Sequence, residues 1–198
     1  LVLMLLNNSG TAVTPGCAGV AYVQSANPPS VNSFEGLGYA TMEACSFGAP
    51  VFAHELGHNM GGRHDWYMDS KITPYTYAHG YVDTTNKFYT IMAYPNHCNA
   101  ASLTCTSIPY FSNPAVTYKG APTGVASGTN TTCTTGTVAN PACDADIHRT
   151  FNENASPNHI TDSLRTSEIR WTGAISTDWF TAGNWVIATY SPEHLKHV

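Results

Sequence analysis

The order of apolar and polar positions divides the 198-residue chain into recognisable blocks. The opening run, Leu1 to Leu6, is apolar throughout and stops at Asn7-Asn8-Ser9-Gly10, the pattern of a fully buried strand. "GVAYVQ", Gly19 to Gln24, has strand composition and runs into the breaker "NPPS". "GLGYATMEAC" is a third strand candidate, with Gly36 and Gly38 marking turns. Ala49 to Met60 reads as a helix, with Pro50 in its first turn, where the missing N–H costs nothing. That helix should stop at Gly61-Gly62, because glycine readily supplies the left-handed residue after a helix. From Asp65 to about Ala142 turn residues dominate and periodicity is weak. "CDADIHRTFNENA" then predicts a helix, with Asp144 as its cap and Ile147, Phe151 and Ala155 on one face. "HITDSLRTSEIRW" continues it or forms a second short helix. From Thr172 the aromatic spacing changes to that of a tail, or of the start of a small β module. No internal repeat is visible.

Composition narrows the classes. Hydrophobic residues make up 42% of the chain, which is globular and not disordered. The net charge is -5 and there is no basic block, which excludes nucleic acid as the expected partner. The six cysteines fall in close pairs, Cys98 with Cys105 and Cys133 with Cys143, leaving Cys17 with Cys45. None makes a CxxC metal or redox spacing, so three disulfides are expected, against the alternative of six unrelated buried thiols. Disulfides imply an oxidising compartment and hence secretion or the cell surface. The opening run lacks a basic flank, so it is no signal peptide, and it is too short to span a membrane, as is every other apolar stretch. A first residue already inside a core strand is the mark of a piece of a longer precursor.

The chemistry concentrates in "HELGHNMGGRHD". His54 and His58 are four residues apart, so a helix projects both from one face, where two imidazoles can hold one zinc. Glu55 lies off the ligand axis and can reach a metal-bound water without displacing it. Gly61 lets the chain double back, so His64 can supply a third nitrogen. Three protein ligands leave a position open for water, the arrangement of catalytic and not structural zinc. Glu55 would accept a proton from that water as it attacks a peptide carbonyl.

The complete HExxHxxGxxH string, with Asp65 after its last histidine, resembles the zinc signature of the metzincin metalloendopeptidases. An Asp at that place is the choice of the adamalysin/reprolysin branch and implies a structural hydrogen bond near the site. "TIMAY" lies twenty-eight residues beyond His64 and resembles the family's methionine turn, which implies that Met92 packs beneath the imidazoles. Tyr94, two residues later, is similar to a tyrosine of the astacin and serralysin branches that reaches the zinc or the oxyanion. The alternative is a rim tyrosine with no part in the reaction. The resemblance further implies that Gly19 to Gln24 is an edge strand binding an extended polypeptide substrate. It implies that "IPYFSNPAV", with Tyr110 and Phe111, walls the pocket after the scissile bond. It covers about Leu1 to Trp171. The implied fold is α/β, a twisted mixed sheet over the cleft and a loop-rich, disulfide-stapled lower subdomain, with residues 172–198 as a tail or further module. Only 53 residues precede His54, fewer than the family's upper subdomain, so a missing N-terminal segment of the same precursor is an expected partner. Calcium, bound elsewhere in the family, has no assignable ligands here.

The function so read is a secreted zinc endopeptidase with His54, His58 and His64 as ligands and Glu55 as general base. The rivals are a zinc-stabilised adhesion module without proteolysis and a zinc amidase acting on a non-protein amide. His79, His97, His148, His159, His194 and His197 have no partner at ligand spacing and read as surface or hydrogen-bonding residues. Asn130 and Asn154 fit glycosylation triplets, which are common by chance.

Overall fold

The structure is a computed structural model that describes residues 2–6, 19–25, 38–43, 50–140, 142–154, 167–171 and 185–189. The chain forms two units, Leu1–His159 and Ile160–Val198. The first unit mixes helices and strands, as the expected α/β class requires.

In the first unit β1 (Val2–Leu6), β2 (Gly19–Ala21) and β3 (Tyr39–Glu43) form one mixed sheet in the order β1-β3-β2. β1 runs parallel to β3, and β2 runs antiparallel to it with Gly19 opposite Met42. Ala40 and Met42 alternate inward along β3 and are each 1% exposed, the period of two that a half-buried strand requires. β2 is an edge among the described strands. It is shorter than the sequence implies, since Tyr22 to Gln24 lie outside the ladder.

Helix α1 (Val51–Asn59) carries the histidine pair. Nine residues are too few to hold a helix alone in water, so packing holds this one. Asn59 donates from Nδ2 to the carbonyls of Tyr22 (2.9 Å) and Tyr39 (3.2 Å), tying α1 to the sheet. The Gln24 N–H donates to the His58 carbonyl at 3.0 Å. Gly61 ends the turn after α1 with φ +97, the left-handed conformation the sequence calls for.

Below α1 the chain uses short pieces: β4 (Val82–Asp83), β5 (Phe88–Tyr89), α2 (Asn96–Ala100), β6 (Thr106–Ser107), β7 (Thr117–Tyr118), β8 (Ala121–Pro122) and α3 (Ile147–Asn154). Cys98–Cys105 and Cys133–Cys143 are bonded as the spacing implies; Cys17 and Cys45 lie outside the described residues. The expected cap of α3 is displaced by two residues. Asp146, not Asp144, accepts the Arg149 N–H (3.0 Å). Asp144 is taken up elsewhere: its carboxylate accepts the N–H groups of Gly128, Thr129 and Asn130 at 2.7–2.9 Å. Ile147 faces inward with Ile91 and Met92 to make the core, and Phe111 packs on Phe151 with ring centroids 4.8 Å apart. Asn154 is engaged in the interior, donating from Nδ2 to the Met60 carbonyl at 2.7 Å.

In the second unit β9 (Ser167–Trp171) pairs antiparallel with β10 (Trp185–Thr189). The last part of "HITDSLRTSEIRW" is therefore strand, not helix; the β-branched and aromatic residues Ile169 and Trp171 suit it. No helix of the described residues is long and apolar enough to cross a membrane.

Candidate metal centre

Three imidazoles meet at one point. His64 Nε2 lies 3.1 Å from His54 Nε2 and 3.0 Å from His58 Nε2. His54 and His58 come from successive turns of α1, and His64 returns to them because Gly61 reverses the chain. The Nδ1 atoms of the helical pair are occupied: His54 Nδ1 donates to the Ile91 carbonyl (2.7 Å) and His58 Nδ1 to the Gly62 carbonyl (2.8 Å). A carbonyl only accepts, so Nδ1 carries the proton and Nε2 presents a lone pair. Burial lowers the pKa of His54. Burial, then the neighbouring His54, brings His58 to about 4. Burial, with His58 and His54 beside it, brings His64 to about 3. All three rings are neutral at pH 7. The Nε2 lone pairs of His54 and His58 both face His64 Nε2, an arrangement that suits a cation shared by the three rings. Zinc held tetrahedrally by imidazoles at ~2.0–2.1 Å sets its nitrogens roughly 3.3 Å apart, close to the spacing here. Among the described residues, this trio is the group of His, Cys, Asp and Glu side chains that could hold a metal ion.

Glu55 follows His54 on α1 and is 4% exposed. Burial raises its carboxyl to about 7. Gly19 of β2 leaves room for it, since a Cβ there would come within 2.5 Å of Glu55 Oε1. A cleft of about 440 Å³ opens beside them, lined among others by Val51, Tyr89, Ile91, Tyr94 and Ser107. Tyr110 and Phe111, expected as its wall, are not among the described lining residues. Phe111 is turned into the core against Phe151, and Tyr110 is 42% exposed.

Met92 is fully buried in the core cluster. A Cβ on Gly57 would stand 2.5 Å from Met92 Sδ, so the glycine inside "HELGH" lets the thioether press directly on the helix between His54 and His58. Nothing in the sequence marks Gly57 as the partner of Met92. Asp65 is 3% exposed; burial raises its carboxyl to about 6 against the pull of the backbone N–H groups of Tyr94 and Tyr67. Oδ2 accepts from the Tyr94 N–H (2.9 Å) and Oδ1 from the Tyr67 N–H (3.2 Å), so Asp65 joins the third histidine's loop to the methionine turn. Tyr94 lays its ring 4.7 Å from that of His64 and 5.5 Å from that of His54. Burial, then the charges of Glu55 and Asp65, raise its phenol, which therefore stays protonated.

A helix-borne imidazole pair, a returning third histidine and a buried methionine pressed beneath them define the metzincin class of metallopeptidase fold. The comparison with protein families agrees: the chain belongs to metallo-peptidase family M12B, reprolysin-like, whose profile matches residues 3–129. It is 42% identical over 86 residues to a peptidyl-Asp metalloendopeptidase of Stenotrophomonas maltophilia, a match covering 42% of this chain and 19% of that protein. It is 39% identical over 79 residues to a protein of the same name from Pseudomonas fragi, covering 39% of this chain and 51% of the relative. The chain thus spans well under two thirds of these relatives' length. No solved structure matches it.

Proposed function

We propose that this chain is a secreted zinc-dependent endopeptidase in which His54, His58 and His64 bind the ion through Nε2 and Glu55 is the general base. The observation that carries the reading is the convergence of three imidazole Nε2 atoms, those of His54 and His58 proton-free, beside a buried carboxyl group at a cleft. Zinc, when bound, would supply Lewis acidity and bring a water's pKa to about 7. The rest falls to the chain's own side chains. A Glu55 carboxyl near 7 takes a proton from the attacking water and gives it up again to the leaving amine within one cycle. The protonated Tyr94 hydroxyl donates to the oxyanion that develops on the scissile carbonyl. The edge of β2, outermost among the described strands of its sheet, offers N–H and C=O groups to an extended peptide. The disulfides Cys98–Cys105 and Cys133–Cys143 support secretion.

The relatives' name refers to peptidyl-Asp bonds. In this chain the described lining of the cleft holds the hydroxyl residues Tyr89, Tyr94 and Ser107 and no Lys or Arg. Hydrogen bonding, not an ion pair, would then set any preference for aspartate, so peptides with Asp and Asn beside the cut should be cleaved at similar rates. A strong preference for Asp would show that a cation enters the cleft.

The test of the mechanism is hydrolysis of a denatured protein. Chelation and Glu55→Gln should each abolish it, with zinc still bound in the variant. Full activity in Glu55→Gln would refute the role of Glu55. Zinc binding by a wild-type chain that cuts no peptide would favour the adhesion module.

A further inference from the structure

His79 lies far from any ligand spacing, yet it is joined to the site. The residue is completely buried. Its Nδ1 is 2.8 Å from the carbonyl oxygen of His64, and its Nε2 is 2.9 Å from that of Lys71. The ring stacks on Trp66 with centroids 3.9 Å apart. Trp66 is itself anchored, its indole N–H donating to the Asp144 carbonyl at 2.7 Å. The backbone around His79 is equally fixed. It bridges Arg63, with the Arg63 N–H donating to the Ala78 carbonyl (2.7 Å) and the Gly80 N–H to the Arg63 carbonyl (3.0 Å). The His79 carbonyl accepts the Ser112 hydroxyl at 2.6 Å.

This anchorage matters because of where His64 sits. His54 and His58 inherit their directions from α1. His64 lies beyond Gly61, on a loop, with no helix to aim it. We infer that His79 is a positioning residue for the third imidazole: its buried ring holds the His64 main chain through the carbonyl and so sets where His64 Nε2 points. The inference rests on the reading of His64 as a metal ligand. Packing alone does not account for the choice of residue. A phenylalanine would fill the space and stack on Trp66, but it has no N–H to donate; a neutral imidazole has one, and with Nδ1 protonated that proton goes to the His64 carbonyl.

The experiment measures zinc affinity of the whole chain by competition with a chromogenic chelator, with cobalt absorption spectra and thermal melts in parallel. His79→Phe should weaken zinc about 10- to 100-fold and alter the cobalt spectrum while the chain still melts cooperatively. His79→Gln restores one donor and should recover part of both. If His79→Phe binds zinc as tightly as the wild type and gives the wild-type cobalt spectrum, the inference is overturned while the metal site stands. A wild-type chain that binds no zinc overturns both. Where the variants do not fold, the wild type decides: its His79 Nδ1 proton should be protected from exchange, and rapid exchange there would sink the inference.

Discussion

Glu55 and Asp65 stand on either side of Gly61, and they show how two regions of one site use the same chemical group. Each is a carboxylate less than a tenth exposed, and burial raises both, Glu55 to about 7 and Asp65 to about 6. Their wiring differs. Asp65 is closed off: two backbone N–H groups, from Tyr67 and Tyr94, occupy its oxygens. Glu55 borders the cleft, with a glycine left opposite it. A buried carboxylate whose acceptors are filled by fixed donors works as a joint. One whose acceptors face an open space is available to a proton.

The sharpest way to break this contrast is to make the same isosteric change at both places. Glu55→Gln should lower kcat by about 10²–10⁴-fold without lowering thermal stability. Asp65→Asn should spare far more of the rate, and an equal loss of kcat would erase the distinction. Asp65→Ala goes further and strands the N–H groups of Tyr67 and Tyr94. It should cost about 1–3 kcal/mol in urea unfolding, with activity falling in step with the folded fraction. Tyr94 touches both regions, its phenol feeling both charges and its N–H bound to Asp65. Tyr94→Phe keeps that N–H, so it should leave stability alone and reduce kcat by about tenfold, the value of one modest transition-state hydrogen bond. An unchanged kcat would make Tyr94 a rim residue. The smallest effect concerns pH. The Asp65 carboxyl is raised from 3.8 to about 6 in the folded chain, so the fold holds that proton more tightly than the unfolded chain does. The stability it contributes is complete below 3.8 and is lost as pH rises through about 6. Asp65→Asn should remove that slope from a series of urea midpoints.

The sequence made the local half of the site legible. The four-residue interval of His54 and His58, the Gly61 stop and the cysteine pairs depend on nearest neighbours, where helix period and glycine chemistry decide. It was less informative where partners are distant. Asp144 has the residue type of a helix cap, but a loop at Gly128–Asn130 competes for its oxygens and wins. Phe111 sits in a segment that resembles a pocket wall, yet Phe151, forty residues on, draws it inward. His79 reads as unremarkable because its role lies in the main-chain carbonyl of a residue 15 positions away. A Tyr-Ala-His-Gly-Tyr string flags a histidine among small and aromatic neighbours, a hint of burial, but it carries no address for the partner.

The bond from Asn154 to the Met60 carbonyl spans 94 positions and closes on the turn that delivers His64. It gives the centre a schedule. During synthesis, α1 and the returning loop leave the ribosome well before α3 exists, at about 5–20 residues per second. Through those seconds the turn after Met60 lacks its last restraint. The turn that delivers His64 is therefore fully restrained only once α3 has emerged.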